Sequence, residues 1–182
     1  MRIVGGEFRG RRFSPPTSTP ARPTTDVAKE GLFNTLTNMM DLEDIKTCDL
    51  FGGTGSISYE LASRGAGDLT LIERDMGNIN FIKKTVKELG IAERFHIIKG
   101  DVFKFMKTNT QQFDFIFAGP PYALENIDDI PMLVFERNML AADGIFVLEH
   151  TPRNDYQQHP NFFRMKNYGT TVFSYFKPTT EQ

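Results

Sequence analysis

Four short apolar runs, each followed by a segment with helical spacing, constrain the fold of this chain more than any other feature. The runs cover residues 47–51, 69–73, 95–98 and 113–117. Each has the length of a strand, and the segments between them place apolar residues three or four positions apart. Strands that alternate with helices predict an α/β fold of three layers, in which helices cover both faces of a parallel sheet.

The remaining segments complete this Rossmann-like pattern and contain no repeat or linker. Helices are predicted from residues 24–26 to about 40, through 59–62, and over 78–89, 102–106 and 130–140, and Gly144 is predicted as a turn into a strand over 145–148. Two further strands, around 162–166 and 170–176, flank a predicted hairpin turn at 167–169 and suggest an antiparallel edge. We therefore expect one domain over 1–182, with an arm or hairpin at 1–22 and a core at 23–182.

The positive charge of the chain is concentrated at its N-terminus. The net charge is -2, yet the first 22 residues carry five arginines and only one acid, Glu7. Residues 2–4 and 11–13 are expected to pair as a short hairpin. A basic arm on an acidic body predicts a local contact with a polyanion. The candidate RNA-binding residues are Arg2, Arg9, Arg11, Arg12 and Arg22.

Several classes of protein are disfavoured. The single cysteine, Cys48, rules out a disulfide within the chain and fits a cytoplasmic location. No apolar run is long enough to span a membrane, and no signal peptide is expected. The three histidines lack the spacing of metal ligands, so no metal site is expected.

A glycine turn follows the first strand and opens a helix. Glycines there allow a tight turn and a close approach of a ligand, and the helix N-terminus offers free N–H groups. The spacing is Gly-Gly-Thr-Gly, which does not meet the dinucleotide fingerprint and disfavours a nicotinamide oxidoreductase. The candidate cofactor-binding residues in this turn are Asp49, Phe51, Gly52, Gly53, Thr54 and Gly55.

Acidic residues end the next two strands. Glu73 suits hydrogen bonding to a ribose diol, and Asp101 suits acceptance from an adenine amino group. Together with Asp49 they are predicted to surround one crevice at the carboxyl edge of the sheet. The alternative is that the glycines are turn residues only and that the acids are helix caps.

The candidate site of chemistry follows the fourth strand, at Gly119, Pro120, Pro121 and Tyr122. Two prolines fix the backbone and leave peptide carbonyls as acceptors, while Tyr122 offers a flat ring. These features suit an extruded base, stacked on its face and held by its amine. The alternative is a rigid loop with a packed tyrosine.

Taken together, these residues resemble the RsmD family of bacterial 16S rRNA guanine-N2 methyltransferases. The resemblance runs over nearly the whole chain. It is carried by residues 2–6, 8–11, 22–26, 33–34, 49–55, 63–66, 73, 101 and 120–122.

The resemblance implies a seven-stranded sheet with its last pair antiparallel and S-adenosylmethionine (SAM) as cofactor. Residues 49–55 would face the methionine end of SAM, Glu73 the ribose and Asp101 the adenine, with Arg74 and Val102 as further contacts. Residues 119–122 would hold a guanine of 16S rRNA in the small ribosomal subunit. The chain is expected to act as a monomer.

One position departs from the family pattern. Members normally carry Asp or Asn before Pro-Pro-Tyr, and this chain has Gly119. The departure keeps open a non-catalytic SAM- and RNA-binding ribosome-assembly factor. A DNA adenine-N6 methyltransferase is a further alternative, although such enzymes usually carry an additional target-recognition domain.

Overall fold

The computed structural model describes residues 1–17 and 24–179, so the predicted contact of Arg22 lies outside the described residues. The strands are β1 (Lys46–Leu50), β2 (Asp68–Glu73), β3 (Phe95–Lys99), β4 (Phe113–Ala118), β5 (Leu140–His150), β6 (Phe162–Tyr168) and β7 (Thr171–Phe176). The helices are α1 (Asp26–Met39), α2 (Ser56–Ser63), α3 (Met76–Glu88), α4 (Val102–Thr108) and α5 (Asp129–Glu136).

The strands form one sheet in the order β3-β2-β1-β4-β5-β7-β6. The first five strands are parallel, and β7 joins β5 and β6 by antiparallel pairing. This confirms the predicted α/β class, the seven strands and the antiparallel edge. The order reverses between β1 and β4, and the crevice at such a reversal is where open α/β sheets bind ligands.

Side chains of β4 alternate between two hydrophobic clusters. Phe115 and Phe117 pack on the face that α1, α2 and α3 cover, while Ile116 and Ala118 pack on the face of α4 and α5. This period of two follows from the strand geometry and gives the sheet a buried layer on each side.

No helix within the described residues is long and apolar enough to cross a membrane.

The prediction of a helix over 130–140 was wrong at its end. The helix ends at Glu136, and Asn138 adopts φ 50°, the left-handed conformation that commonly follows a helix. Leu140 is already the first residue of β5, where it pairs with Phe113. Gly144 lies inside β5 near a register shift and not in a turn before the strand. Apolar residues such as Leu140 suit a buried position in a helix or in a strand. The spacing of apolar residues therefore could not show where the helix ends.

The turn predicted at 167–169 was also placed too early. Strand β6 continues through Tyr168, and the two-residue turn consists of Gly169 and Thr170. Gly169 has φ 65°, the conformation that a tight hairpin requires at this position.

Candidate functional site

A cavity of about 380 Å³ lies at the carboxyl ends of β1, β2, β4 and β5. One wall is the glycine turn after β1, and the opposite wall is the turn after β4. The residues that line it are Thr24, Asp49, Phe51, Gly52, Gly53, Thr54, Ser56, Ile57, Glu73, Asn78, Phe117, Gly119, Pro120, Pro121, Tyr122, Ala123 and Glu149.

The backbone of the glycine turn is held in an unusual conformation. Phe51 has φ 64°, a left-handed value that is costly for a residue with a side chain and is typical of functional loops. Its ring lies edge-on to that of Phe103, with centroids 6.3 Å apart. At Gly55, φ is 89° and a Cβ would lie 2.5 Å from Cζ of Tyr59, so only glycine fits.

Helix α2 begins at this turn without a side-chain cap. Its first position is preceded by Gly55, which offers no side chain to accept from the first N–H groups. Ser56 and Ile57, the first two residues of the helix, line the cavity. These uncapped N–H groups and the helix dipole favour an anionic group at this end of the cavity.

Asp49 is a buried carboxyl at the floor of the cavity, with 1% of its surface exposed. Burial raises its pKa from 3.8 to about 7, and the negative charge of Glu73 adds to this rise. The hydroxyl of Ser58 opposes the rise, because it donates a 2.7 Å hydrogen bond to Oδ2. A cation placed beside Asp49 would favour its ionised form.

Glu73 and Asn78 form a polar cluster on the β2 side of the cavity. Glu73 accepts hydrogen bonds from the backbone N–H of Gly53 (3.2 Å), from that of Asp75 (3.1 Å) and from Nδ2 of Asn78 (2.9 Å). Asn78 is 1% exposed, and its Oδ1 has no hydrogen-bond partner among the described residues. A buried acceptor without a partner is costly, and here it belongs to a residue that lines the cavity.

Asp101 follows β3, as the sequence predicted, but it is not among the residues that line this cavity. It is exposed and caps α4 by accepting a 3.0 Å hydrogen bond from the N–H of Lys104. Asp49 and Glu73 line the cavity, whereas Asp101 does not. Gly55, Arg74 and Val102 are likewise not among the described residues that line it: Arg74 is exposed, and Val102, the first residue of α4, is packed in the core. Asp101 is therefore a helix cap in this structure, and its contact with adenine stays a prediction.

The turn after β4 brings Pro120, Pro121 and Tyr122 to the cavity. The N–H of Gly119 donates to the carbonyl of Leu50 at 3.4 Å, which ties the start of this turn to the end of β1. Tyr122 is half-buried, and its hydroxyl donates to Oε2 of Glu149 at 3.1 Å. The same hydroxyl lies 3.2 Å from Oγ1 of Thr171.

Sequence reasoning missed Glu149 and Thr24. Glu149 is 2% exposed and lies near the carboxyl end of β5, and Thr24 donates a 2.9 Å hydrogen bond to its Oε1. The search for acids at strand ends, which found Asp49 and Glu73, would have found Glu149 had it been extended to the fifth strand. Thr24 could be predicted only as part of a helix start, because its partner lies 125 residues away.

The basic N-terminal segment is a hairpin attached to α1 and α2. Arg2 and Arg12 form an antiparallel bridge. The buried carboxylate of Glu60 accepts from the N–H groups of Val4 and Gly5, each at 2.9 Å. It also lies 3.5 Å from Nζ of the buried Lys29. The hairpin is therefore positioned by the core.

Three of the predicted arginines, Arg9, Arg11 and Arg12, are exposed on this hairpin. Arg2 is about half-exposed and forms an ion pair with Asp26 at 2.9 Å. An exposed ion pair of this kind contributes little to stability, so Arg2 remains available to other anions.

Within the described residues, no group of three or more His, Cys, Asp or Glu side chains is placed to hold a metal ion.

Comparison with known proteins finds a family and a relative that match along nearly the whole chain. The family model described as conserved hypothetical protein 95 matches residues 1–177. The ribosomal RNA small subunit methyltransferase D of Haemophilus influenzae is 30% identical over 178 residues, which cover 96% of this chain and 91% of that protein.

Solved structures share the fold at lower identity. A hypothetical protein of Thermus thermophilus has a TM-score of 0.85 at 24% identity, covering 98% of this chain and 99% of that one. An RNA methyltransferase of Salinibacter ruber, in complex with S-adenosyl-L-homocysteine, has a TM-score of 0.66 at 17% identity, covering 85% of this chain and 92% of that one.

Proposed function

This chain belongs to the RsmD family, the family described as conserved hypothetical protein 95, and we propose that it methylates the exocyclic N2 of a guanine in 16S rRNA. It is a methyltransferase that uses SAM as cofactor. Beyond this, we propose the target base, the atom that receives the methyl group, and the roles of the residues that line the cavity.

The residues around the glycine turn and at the end of β2 fit SAM by their chemistry. SAM supplies a methyl group on a positively charged sulfur, together with a carboxylate, a primary amine and a ribose diol. The uncapped start of α2 suits the carboxylate, and Asp49 suits a positive charge. The buried Oδ1 of Asn78, which lacks a partner among the described residues, supports a role for Asn78 beside Glu73 as acceptor for ribose hydroxyls.

The observation that carries the proposal is that one cavity is lined by both turns. The glycine turn after β1 and the Pro-Pro-Tyr turn after β4 face the same space. A methyl donor held by the first would therefore lie within reach of a base held by the second. Such positioning converts an encounter between two molecules into a local reaction and supplies most of the rate acceleration.

The Pro-Pro-Tyr turn suits an extruded base. Pro120 is buried and rigid, and the half-buried ring of Tyr122 offers a surface on which a purine can stack. An exocyclic amine is a weak nucleophile because its lone pair is delocalised into the ring. Acceptors that hold both of its hydrogens align the lone pair with the methyl group and favour a tetrahedral nitrogen.

The exposed arginines of the hairpin support an RNA substrate. Arg9, Arg11 and Arg12 lie on a hairpin that Glu60 fixes to the core, so they present positive charge in a defined place. Contacts of this kind with phosphates position RNA without reading its sequence, and they are weakened by salt. The small ribosomal subunit is the proposed partner, as the name of the Haemophilus influenzae relative suggests.

The proposal is tested by mass analysis of small-subunit rRNA from cells with and without the gene. We expect one N2-methylguanosine to disappear in the deletion strain and to return when the gene is supplied. An unchanged guanine methylation pattern would support the alternative, a ribosome-assembly factor that binds SAM and RNA without catalysis. Loss of an adenine methyl group from DNA would support the DNA methyltransferase alternative.

A further inference from the structure

The space beside Gly119 is bordered by the carboxylate of a different residue. Because Ala118 pairs with Leu148 in the parallel β4–β5 register, the next residues, Gly119 and Glu149, lie side by side at the edge of the sheet. A Cβ built on Gly119 would lie 3.9 Å from Oε1 of Glu149. An acidic side chain at position 119 would thus extend into the neighbourhood of an existing carboxylate.

The carboxylate of Glu149 is buried and oriented. Thr24 donates to Oε1 and Tyr122 donates to Oε2, so a hydroxyl holds each oxygen. These two hydroxyl groups fix the orientation of the carboxylate at the wall of the cavity. Glu149 lines the same cavity as the Pro-Pro-Tyr turn and the glycine turn.

We propose that Glu149 is the acceptor that holds the target amine, in the role that an Asp or Asn at position 119 would otherwise fill. This inference rests on the proposed function. In the step, the lone pair of the amine nitrogen forms the N–C bond while the S–C bond breaks and its electron pair stays on sulfur. The nitrogen then loses one proton to the carboxylate of Glu149, which returns it to water.

Tyr122 links the two parts of this arrangement. Its ring lines the cavity where the base would stack, and its hydroxyl holds Oε2 of Glu149. Stacking and acceptance of the amine are therefore set by one side chain and its hydrogen-bond partner. Because the Tyr122 hydroxyl and Oε2 of Glu149 are 3.1 Å apart, a base stacked on the ring would lie beside this carboxylate.

The test compares Glu149→Gln with the unaltered chain in methyl transfer from labelled SAM to undermethylated 30S particles. Loss of a charged acceptor predicts that kcat falls roughly 10–100-fold, with unchanged SAM affinity by calorimetry and an unchanged unfolding temperature. Glu136→Gln, which removes an exposed acid on α5, is the matched control and is expected to be fully active.

A second pair of variants separates acceptance from a structural role. Gly119→Asp combined with Glu149→Gln returns a carboxylate to the site and is expected to be faster than Gly119→Ala combined with Glu149→Gln. The alanine variant controls for crowding, because any Cβ at position 119 lies 3.0 Å from Cε1 of Phe117. If Glu149 had only a structural role, an acid at position 119 would not restore the rate.

Three outcomes would overturn the inference while leaving the proposed function intact: an unchanged kcat in Glu149→Gln, a parallel loss of kcat, SAM affinity and stability, or equal rates in the two double variants. Absence of any transfer by the unaltered chain would overturn the proposed function and this inference together.

Discussion

Oγ of Ser58 donates a 2.7 Å hydrogen bond to Oδ2 of Asp49, joining the first turns of α2 to the end of β1 beneath the cavity. Even with this bond, burial and the charge of Glu73 raise the pKa of Asp49 to about 7. The floor of the proposed SAM site therefore changes charge near neutral pH. SAM affinity and the free energy of unfolding are therefore both expected to depend on pH, each in a direction that follows from the raised pKa of Asp49.

The first prediction concerns the pH dependence of SAM binding. A cation is held by the ionised form of Asp49, so affinity is expected to rise as pH increases through about 7. Below that pKa, each pH unit is expected to weaken binding up to about tenfold. Titration calorimetry between pH 5.5 and 8.5 measures this, and Asp49→Asn should bind weakly with a flatter profile.

The same raised pKa has an opposite effect on stability. The folded chain keeps a proton on Asp49 that the unfolded chain has released, so the free energy of unfolding without SAM falls as pH rises from about 4 to about 7. Urea unfolding of Asp49→Asn should lack this contribution. If SAM binding and stability of the variant followed pH just as those of the unaltered chain do, Asp49 would not be the group that titrates.

The second prediction concerns Asn78. Replacement by Ala removes the buried Oδ1 that lacks a partner among the described residues, and it removes the Nδ2 donor to Glu73. We expect SAM affinity to fall about 10-fold, the equivalent of roughly one hydrogen bond in a buried site. Asn80→Ala is the matched control, because Asn80 lies exposed on the same helix. Equal affinities of the two variants would remove Asn78 from the proposed ribose contact.

The third prediction separates two roles of Asp101. As the cap of α4, its replacement by Ala should lower the free energy of unfolding by about 1 kcal/mol. If Asp101 also accepts from the adenine amine, as the family resemblance implies, its replacement should weaken SAM binding as well. Asp101→Asn keeps a good cap and tests binding at constant stability. A destabilised Ala variant with unchanged SAM affinity would show that Asp101 is a cap only.

The fourth prediction concerns the basic hairpin. Replacing Arg9, Arg11 and Arg12 together with Gln should weaken binding to 16S rRNA and lower the slope of log affinity against log salt by about 2–3. SAM binding should be unchanged, since all three side chains are exposed and none lines the cavity. The outcome is read by filter binding at several salt concentrations.

The control for the hairpin removes equal charge from another surface. Lys83, Lys84 and Lys87 are exposed on α3, and their joint replacement with Gln should affect RNA binding much less than the hairpin variant does. Equal losses in the two triple variants would indicate that overall charge, and not the hairpin, attracts the RNA. Loss of SAM binding in the arginine variant would indicate that the hairpin is structural.

The sequence predicted the parallel strands well because their signal is local. Each of β1 to β4 is a short apolar run with a helical segment after it, and hydrophobic periodicity reports this directly. The helix over 130–140 failed at the point where Asn138 takes a left-handed conformation, which periodicity does not register. Leu140 is buried in a strand as it would be in a helix, so its apolar character could not decide.

The site was predictable in part for a similar reason. Asp49 and Glu73 end strands, and strands of one parallel sheet bring their carboxyl ends to one edge. Asp101 also follows a strand, yet its carboxylate caps α4. An acid at this position is compatible with a ligand contact and with a helix cap, so the sequence could not distinguish the two roles. The Glu149–Thr24 contact joins residues distant in sequence, so no local pattern could indicate it.

The most direct measurement is methyl transfer from labelled SAM to undermethylated 30S particles, followed by nucleoside analysis of the 16S rRNA. We predict that one label enters each particle, that it is recovered as N2-methylguanosine, and that particles from methylated ribosomes accept none. Particles that stay unlabelled, or label recovered on another nucleoside, would contradict the proposal that this cavity methylates a guanine amine.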